Sequence, residues 1–188
     1  MSAISCTNFS DIYSKNNLPK NISLIASHYI QNPLLLETLN LSRDIGWVKS
    51  VKFDLRIYVA ISSVYPLRFY IYEEGLVWFA TVKYELCDVK DFSKSKFMHL
   101  TNYSVNKGRG EEVKWKLSQL WDLIEDCVEV PKLKWRIDDI IIKTILSVED
   151  QLKYAFEQKV PHRGNCFQLL GFDILIDSYL KPWLLEVN

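Results

Sequence analysis

This chain of 188 residues lacks the motifs that mark several common classes of enzyme. It contains no HExxH, Walker A or GxSxG pattern, which disfavours a zinc protease, a P-loop nucleotide hydrolase and an α/β-hydrolase. Its apolar runs are all shorter than the ~18 residues that a membrane-spanning helix needs. Its cysteines also lack CxxC spacing, so we expect reduced thiols in a cytosolic protein and neither a zinc knuckle nor a disulfide framework. They are Cys6, Cys87, Cys127 and Cys166.

The chain has no excess of charge of either sign. Lys plus Arg and Asp plus Glu number 23 each, whereas a nucleic-acid-binding domain normally carries a basic excess. The N-terminus also lacks the basic start and the apolar centre of a signal peptide. What is present is 48% hydrophobic and 13% aromatic content, which is typical of a globular domain. We therefore expect a cytoplasmic domain with no nucleic-acid or membrane partner, preceded by a polar tail at 1–21.

The most informative stretch is the last one, at 167–188, where two apolar runs flank a short polar connection. If the predicted hairpin turns about 179–180, Asp173 lies directly across from Glu186, and Asn188 lies on the same face. Like charges opposed on a sheet destabilise it, and carboxylate and amide oxygens are ligands that suit Mg²⁺. The alternative is an amphipathic hairpin whose polar face meets water. The spacing leaves both open, because a loop one residue longer changes the pairing.

A second group of charges lies on the strand predicted at 52–64. Lys52, Asp54 and Arg56 alternate along it and so share one face. Such a face is also typical of a sheet surface in water, and the residue types alone do not separate the two interpretations. An arginine there is suited to phosphate, because its planar guanidinium offers donors in a fork.

The remaining pattern predicts an α+β fold, in which helices pack on an antiparallel sheet. Further strands are predicted at 22–30 and 67–75, and helices at 114–127 and 135–160. The buried face of the longer helix is predicted to consist of Ile140, Ile141, Thr144, Ile145, Val148, Leu152 and Ala155.

Several strings of this sequence resemble the tubulin tyrosine ligase-like family, above all its polyglutamylase members. They are NPLLL, KFDLRIYV, VYPLRFYIYEEG, FMHLTNYSVNK and GFDILID followed by LKPWLLEVN. The resemblance runs from about residue 18 to residue 188. It implies that 22–188 is the C-terminal part of an ATP-grasp core, and an incomplete one.

The resemblance also implies an activity. Members of the family join free L-glutamate to glutamate side chains of tubulin or another acidic target, in a reaction that consumes ATP, requires Mg²⁺ and passes through an acylphosphate. The implied partners are tubulin and microtubules, through their acidic C-terminal tails. The implied location is the microtubule cytoskeleton, including a cilium or basal body.

Site residues follow from the resemblance position by position. The implied metal ligands are Asp173, Glu186 and Asn188, and Arg56 is the implied catalytic residue at the phosphates. The implied nucleotide-binding residues are Ser27, His28, Tyr29, Ile30, Lys52, Phe53, Asp54, Thr101 and Asn102. Tyr103 and Lys114 are implied to contact the incoming glutamate. By itself, and without the resemblance, the pair Thr101 and Asn102 predicts an ordinary turn or helix cap.

The sequence also departs from the family. An insertion at 37–51 is predicted to be a surface loop, with a short helix as the alternative. Trp78 stands where members typically have an arginine that holds the incoming amino acid or the reacting phosphate, and an indole supplies no positive charge. Neither an upstream phosphate-binding segment rich in lysine and glycine nor the downstream substrate segment is recognisable. The alternative function is therefore a catalytically inactive fragment or pseudoenzyme with at most weak nucleotide or tubulin binding. An unrelated nucleotide-binding enzyme of similar architecture is a third hypothesis.

Overall fold

The computed structural model describes residues 29–85, Met98, Thr101, 114–160 and 166–188. These residues form a five-stranded antiparallel sheet and three α-helices, so the predicted α+β class is confirmed. The strands are β1 (Val51–Val64), β2 (Leu67–Lys83), β3 (Lys114–Lys116), β4 (Gln168–Ile176) and β5 (Pro182–Val187). The helices are α1 (Leu117–Ile124), α2 (Val130–Ser147) and α3 (Glu149–Lys159). Across the sheet the strand order is β3-β2-β1-β4-β5, with β1 at the centre.

The core lies between one face of this sheet and the helices. Odd-numbered residues of β1 are buried there, because successive side chains of a strand point to opposite faces. They meet apolar residues of β2 and β4 and the buried stripes of α1 and α2 in a single cluster. Each fully buried side chain of this size contributes about 1.5–3 kcal/mol, so the cluster fixes the position of β1 firmly. The β1 members of the cluster are Phe53, Leu55, Ile57, Val59 and Ile61.

The β4–β5 hairpin has the predicted pairing of its two acidic residues. Asp173 is the register partner of Glu186, and this prediction is confirmed. The neighbouring pair is Ile174 with Leu184, so the register skips Leu185 of β5. Regular alternation of paired residues does not predict this irregularity. A one-residue bulge of this kind changes the direction in which nearby side chains point, and bulges are over-represented next to active sites.

Both predicted helices begin elsewhere than expected. The first was predicted from residue 114, but Lys114–Lys116 pairs with β2 as an edge strand, and the helix starts at Leu117. Backbone pairing with an available strand edge outweighed the helical spacing of the apolar residues. The second helix begins five residues early, at Val130, where Pro131 lies in the first turn.

The second predicted helix is also two helices. Its backbone leaves the helical region at Val148, with φ −115° and ψ 5°, and α3 starts at the next residue. Of the predicted buried face, Ile141 and Ile145 are buried, whereas Val148 and Ala155 are exposed. The break explains this difference, because residues after it no longer continue the stripe that α2 presents to the sheet.

The segment before β1 lies against the end of the hairpin. Leu34 N donates to Ile176 O at 2.8 Å, and Pro33 forms an isolated bridge with Asp177. In the inserted region, two short 3-10 turns, Leu36–Thr38 and Gly46–Ser50, are joined by residues that pack partly on the core. The predicted strand at 22–30 lies outside the described residues except for its last two, which have no regular secondary structure.

Candidate active site

The polar face of β1 defines the candidate site. Lys52, Asp54 and Arg56 occupy alternate positions and lie opposite the buried core residues of the strand. On the neighbouring strands, Asp173 is the register partner of Arg56 and Trp78 is the register partner of Asp54. The sheet therefore brings together residues that are far apart in the sequence.

Arg56 and Asp173 form a two-point ion pair across β1 and β4. The Arg56 Nε donates to Asp173 Oδ1, and Nη2 donates to Asp173 Oδ2 at 2.7 Å. The arginine side chain lies flat over Gly171, where an added Cβ would meet Arg56 Cδ at 2.9 Å. The glycine therefore leaves the space that lets the guanidinium reach the carboxylate.

Asn188 joins the two carboxylates of the hairpin. Its Nδ2 lies 3.3 Å from Asp173 Oδ2 and 3.2 Å from Glu186 Oε1. The Asn188 backbone is fixed as well, since it exchanges two hydrogen bonds of 2.8 and 2.9 Å with Gly171. Burial raises the pKa of Asp173 and the adjacent Glu186 carboxylate raises it further, whereas Arg56 lowers it. A cation between the two acids would relieve this repulsion.

The donor set fits Mg²⁺. Asp173 and Glu186 offer carboxylate oxygens, and Asn188 offers an amide oxygen once its amide group turns by half a rotation. Within the described residues no three or more His, Cys, Asp or Glu side chains gather into a metal site, and a set of three protein ligands here would include the Asn188 amide. Mg²⁺ prefers such hard oxygen ligands and commonly keeps several waters.

Asp54 and Lys52 form the buried end of the site. Burial raises the pKa of Asp54 to about 7, while a hydrogen bond from Thr101 and the charge of Lys52 lower it. Burial likewise lowers the pKa of Lys52 to about 8. One carboxylate oxygen of Asp54, Oδ1, has no hydrogen-bond partner among the described residues. The Lys52 ammonium lies 4.9 Å from the centroid of the Tyr29 ring.

Trp78 lies between Asp54 and Lys114. It is the register partner of both residues, on β1 and β3 respectively. The Lys114 ammonium lies 5.2 Å from the centroid of the indole ring, within the range of a cation–π contact. A cation is therefore present near position 78 although the residue itself carries none.

The other predicted site residues are distributed differently. Ile30 is half-buried on the segment before β1, which lies against the end of the β4–β5 hairpin. The Phe53 side chain faces the core, with its ring centroid 5.6 Å from that of Phe79, so only its backbone is available to a nucleotide. The predicted residues that lie outside the described part of the chain are Ser27, His28, Asn102 and Tyr103.

Comparison with known proteins identifies the family of the chain. The model of the tubulin-tyrosine ligase family matches residues 5–188. The chain belongs to this family. Human tubulin polyglutamylase TTLL5 is 44% identical over 94% of the chain. Human tubulin monoglutamylase TTLL4 is 38% identical over 94%, and Caenorhabditis elegans tubulin polyglutamylase ttll-4 is 38% identical over 92%. The chain spans only 14%, 15% and 28% of the lengths of these relatives.

Sequence reasoning missed the role of one residue in this family member. Gly171 supports both Arg56 and Asn188, but no role was predicted for it. The available signal was a glycine inside an otherwise apolar strand, which often marks a close approach of another group. Within the described residues, no helix has both the length and the apolar character required to cross a bilayer.

Proposed function

We propose that this chain forms part of an ATP-dependent ligase that adds glutamate to glutamate side chains of tubulin. The observation that carries the proposal is the gathering of Asp173, Glu186 and Asn188 on the sheet beside Arg56. Family membership and the similarity to tubulin polyglutamylases and a tubulin monoglutamylase give independent support.

The chain's own residues have distinct roles in this proposal. Tyr29 and Ile30, with Lys52 and the backbone of Phe53, border the adenine of ATP. Asp54 faces the ribose, and its Oδ1, which has no hydrogen-bond partner in the described part of the chain, offers an acceptor to a hydroxyl. Arg56 lies farther along the same strand face and orients the phosphates with its fork of donors. The wider nucleotide site includes residues from the two segments that lie partly outside the described structure, which are Ser27, His28, Thr101 and Asn102.

Two steps link the substrates. The acceptor carboxylate attacks the terminal phosphorus of ATP, so that an acylphosphate forms and ADP leaves. The neutral amine of free glutamate then attacks the acyl carbon, the bond from that carbon to the phosphate oxygen breaks, and inorganic phosphate leaves while the nitrogen gives up a proton to form the isopeptide bond. Tyr103 and Lys114 are the proposed contacts of the incoming glutamate. The ammonium of Lys114 next to Trp78 is suited to a carboxylate.

Mg²⁺ is the proposed metal, held by Asp173, Glu186 and Asn188. When bound, it supplies positive charge that neutralises the transferring phosphoryl group. Arg56 is paired with Asp173 in the structure, so loading the metal and the nucleotide requires these two side chains to exchange partners. The ion pair keeps both charges satisfied until then.

The proposed setting is the microtubule cytoskeleton, including a cilium or basal body. Tubulin, through its acidic C-terminal tails, and free L-glutamate are the proposed partners, with no nucleic acid or membrane. In this proposal 1–21 is a polar tail, and 22–188 is the ligase core of ATP-grasp type with its insertion at 37–51.

A catalytically inactive member of the family is the second candidate. The observation in its favour is Trp78, whose indole occupies the position beside Asp54. Loss of one pre-organised donor to a developing oxyanion typically lowers the rate by about 10²–10³. If Lys114 compensates for the missing arginine, the loss of rate is smaller.

Incorporation of radiolabelled glutamate into tubulin by the purified chain tests the proposal. We expect incorporation that depends on ATP and Mg²⁺, a higher rate for Trp78→Arg, and loss for Asp173→Asn. The control is Asp139→Asn, which removes a carboxylate on an exposed part of α2, where it pairs with Lys143. If neither the natural chain nor Trp78→Arg incorporates glutamate, and titration calorimetry detects no Mg-ATP binding, the ligase proposal is wrong.

A further inference from the structure

The sheet face that carries the candidate site continues past Arg56 as an apolar surface. Tyr58 and Ala60 are the next residues of β1 on this face, and Ala60 is the register partner of both Tyr70 and Leu169. This surface, which we name the aromatic floor, borders a shallow cavity of about 470 Å³. Its lining residues are Tyr58, Ala60, Tyr70, Ile71, Tyr72 and Leu169.

The aromatic floor is open to solvent. Tyr70 is 64% exposed, Tyr72 63% and Leu169 56%, although their neighbours on the opposite face belong to or pack against the core. Apolar residues scattered singly over a surface need no explanation, but a contiguous group of them often marks a binding site. Tyrosines suit such a site because each gives a large, rigid contact area and a hydroxyl that donates to a carboxylate or a backbone carbonyl.

The position of the floor relative to the candidate site indicates its occupant. Along β1 the order is Lys52, Asp54 and Arg56, and two-residue steps are about 6.8 Å long. If adenine lies at Lys52, which is next to Tyr29, the triphosphate extends toward Arg56 and its partner Asp173. Phosphoryl transfer proceeds roughly in line, so the attacking carboxylate approaches from the side opposite the departing ADP. That side lies beyond Arg56, over Tyr58 and Ala60.

The acceptor glutamate belongs to a polypeptide, so the residues on either side of it must also lie close to the candidate site. We propose that the aromatic floor binds the stretch of the protein acceptor next to its acceptor glutamate, through an apolar or aromatic side chain of that stretch. This inference rests on the proposed ligase function. It adds a surface that selects an acceptor by the residues next to its acceptor glutamate. Acidic neighbours of the acceptor contribute little here, because the floor offers phenol rings and aliphatic groups instead of cations.

Two fluorescent peptides with the sequence of a tubulin C-terminal tail test the inference by fluorescence anisotropy. One carries phenylalanine two positions from the acceptor glutamate, and the other carries serine there. We expect the phenylalanine peptide to bind the natural chain about tenfold more tightly than the serine peptide. The double variant Tyr70→Ser/Tyr72→Ser should bind both peptides with the weaker affinity.

The matched control is Tyr154→Ser on α3. Tyr154 is 69% exposed, so its replacement removes a similar aromatic surface from a place outside the floor. We expect this variant to bind both peptides as the natural chain does. Circular dichroism and the thermal midpoint check that all three proteins are folded to the same extent.

Two further measurements separate the possible failures. If Mg-ATP binds but the natural chain does not distinguish the peptides, or the double variant still does, the docking inference is wrong. If sedimentation shows that the floor joins two copies of the chain and that the double variant separates them, the inference is also wrong. If Mg-ATP does not bind while the peptide preference persists and depends on Tyr70 and Tyr72, the ligase function fails and the docking surface stands.

Discussion

At the scale of single residues, Gly171 contacts two members of the candidate site. Any side chain at this position would collide with the aliphatic part of Arg56, which lies across it on the way to Asp173. The Gly171 backbone also fixes Asn188 through two hydrogen bonds. One small residue therefore positions Arg56, the proposed phosphate-binding residue, and Asn188, a proposed metal ligand.

Gly171→Ala is predicted to lower the free energy of unfolding of the metal-free chain. The new Cβ would force Arg56 out of the rotamer in which it pairs with Asp173, at a cost of about 1 kcal/mol. Urea denaturation measures the difference from the natural chain.

Arg56→Ala provides the control for this prediction. In that background there is no guanidinium to displace, and Gly171→Ala should cause little further change in the free energy of unfolding. Equal effects of Gly171→Ala in both backgrounds would mean that the glycine acts independently of Arg56.

At the scale of elements, the β4–β5 turn is organised around one buried carboxylate. Asp177 accepts hydrogen bonds from the backbone N–H groups of Tyr179 and Lys181 at 2.9 and 3.0 Å and from Trp183 Nε1 at 2.8 Å. The turn is also tied to α2, since Arg136 donates to Leu180 O at 3.1 Å. These bonds fix where β5 starts and hence which of its residues lies opposite Asp173.

Asp177→Ala is predicted to lower the free energy of unfolding by about 3 kcal/mol. Three donors lose their acceptor, and a hydrogen bond of this kind contributes about 0.5–1.5 kcal/mol. Because β5 carries Glu186, Mg²⁺ binding should weaken as well. Urea denaturation measures the first effect and calorimetry the second.

Two variants test the specificity of this effect. Asp177→Asn keeps an acceptor oxygen for the two backbone donors and should lie between the natural chain and the alanine variant. Asp139→Ala removes an exposed carboxylate that pairs with Lys143 on α2, where such pairs contribute about 0.2–0.5 kcal/mol. If both aspartate-to-alanine variants lose the same stability, the turn does not depend on Asp177 as described.

At the scale of the whole molecule, the two faces of the sheet differ. One face stabilises the fold, and the other carries the candidate site. One face of β1 holds the apolar core together, and the other presents charges that burial opposes. Asp54 and Lys52 are both buried, and burial moves their pKa values toward the neutral forms. Maintaining these groups therefore reduces the stability of the domain, which is a common feature of active sites.

The free energy of unfolding is predicted to vary with pH because Asp54 and Lys52 are buried. Asp54 has a pKa near 3.8 when unfolded and about 7 when folded, so the folded state binds more protons between these values. Stability from this residue is therefore complete below pH 4 and is lost as the pH rises toward 7, by up to about 1.4 kcal/mol per pH unit. Lys52, whose pKa falls to about 8, has the opposite effect and adds stability as the pH rises above 8.

Urea denaturation of the natural chain and Asp54→Asn at pH 5 and pH 7 measures the contribution of Asp54. The asparagine variant should gain stability relative to the natural chain as the pH rises from 5 to 7. If the difference between the two proteins is the same at both pH values, Asp54 ionises freely in the folded state.

The sequence alone was sufficient for the parts of this protein that depend on local pattern. Strand alternation predicted that Lys52, Asp54 and Arg56 share a face. The pairing register that follows from a turn at 179–180 predicted that Asp173 faces Glu186. These predictions held because alternation and short-turn pairing follow from backbone geometry over a few residues. The α+β class and the family resemblance were also available at this level.

Only the tertiary structure decided which distant residues meet. Residues 114–116 have a helical pattern but form a strand because the edge of β2 was available to them. The pairing of Arg56 with Asp173 across 117 positions, and the need for glycine at 171, follow from β1 lying next to β4. Local spacing carries no information on which strands become neighbours, since that choice is made when the separate apolar faces pack into one core.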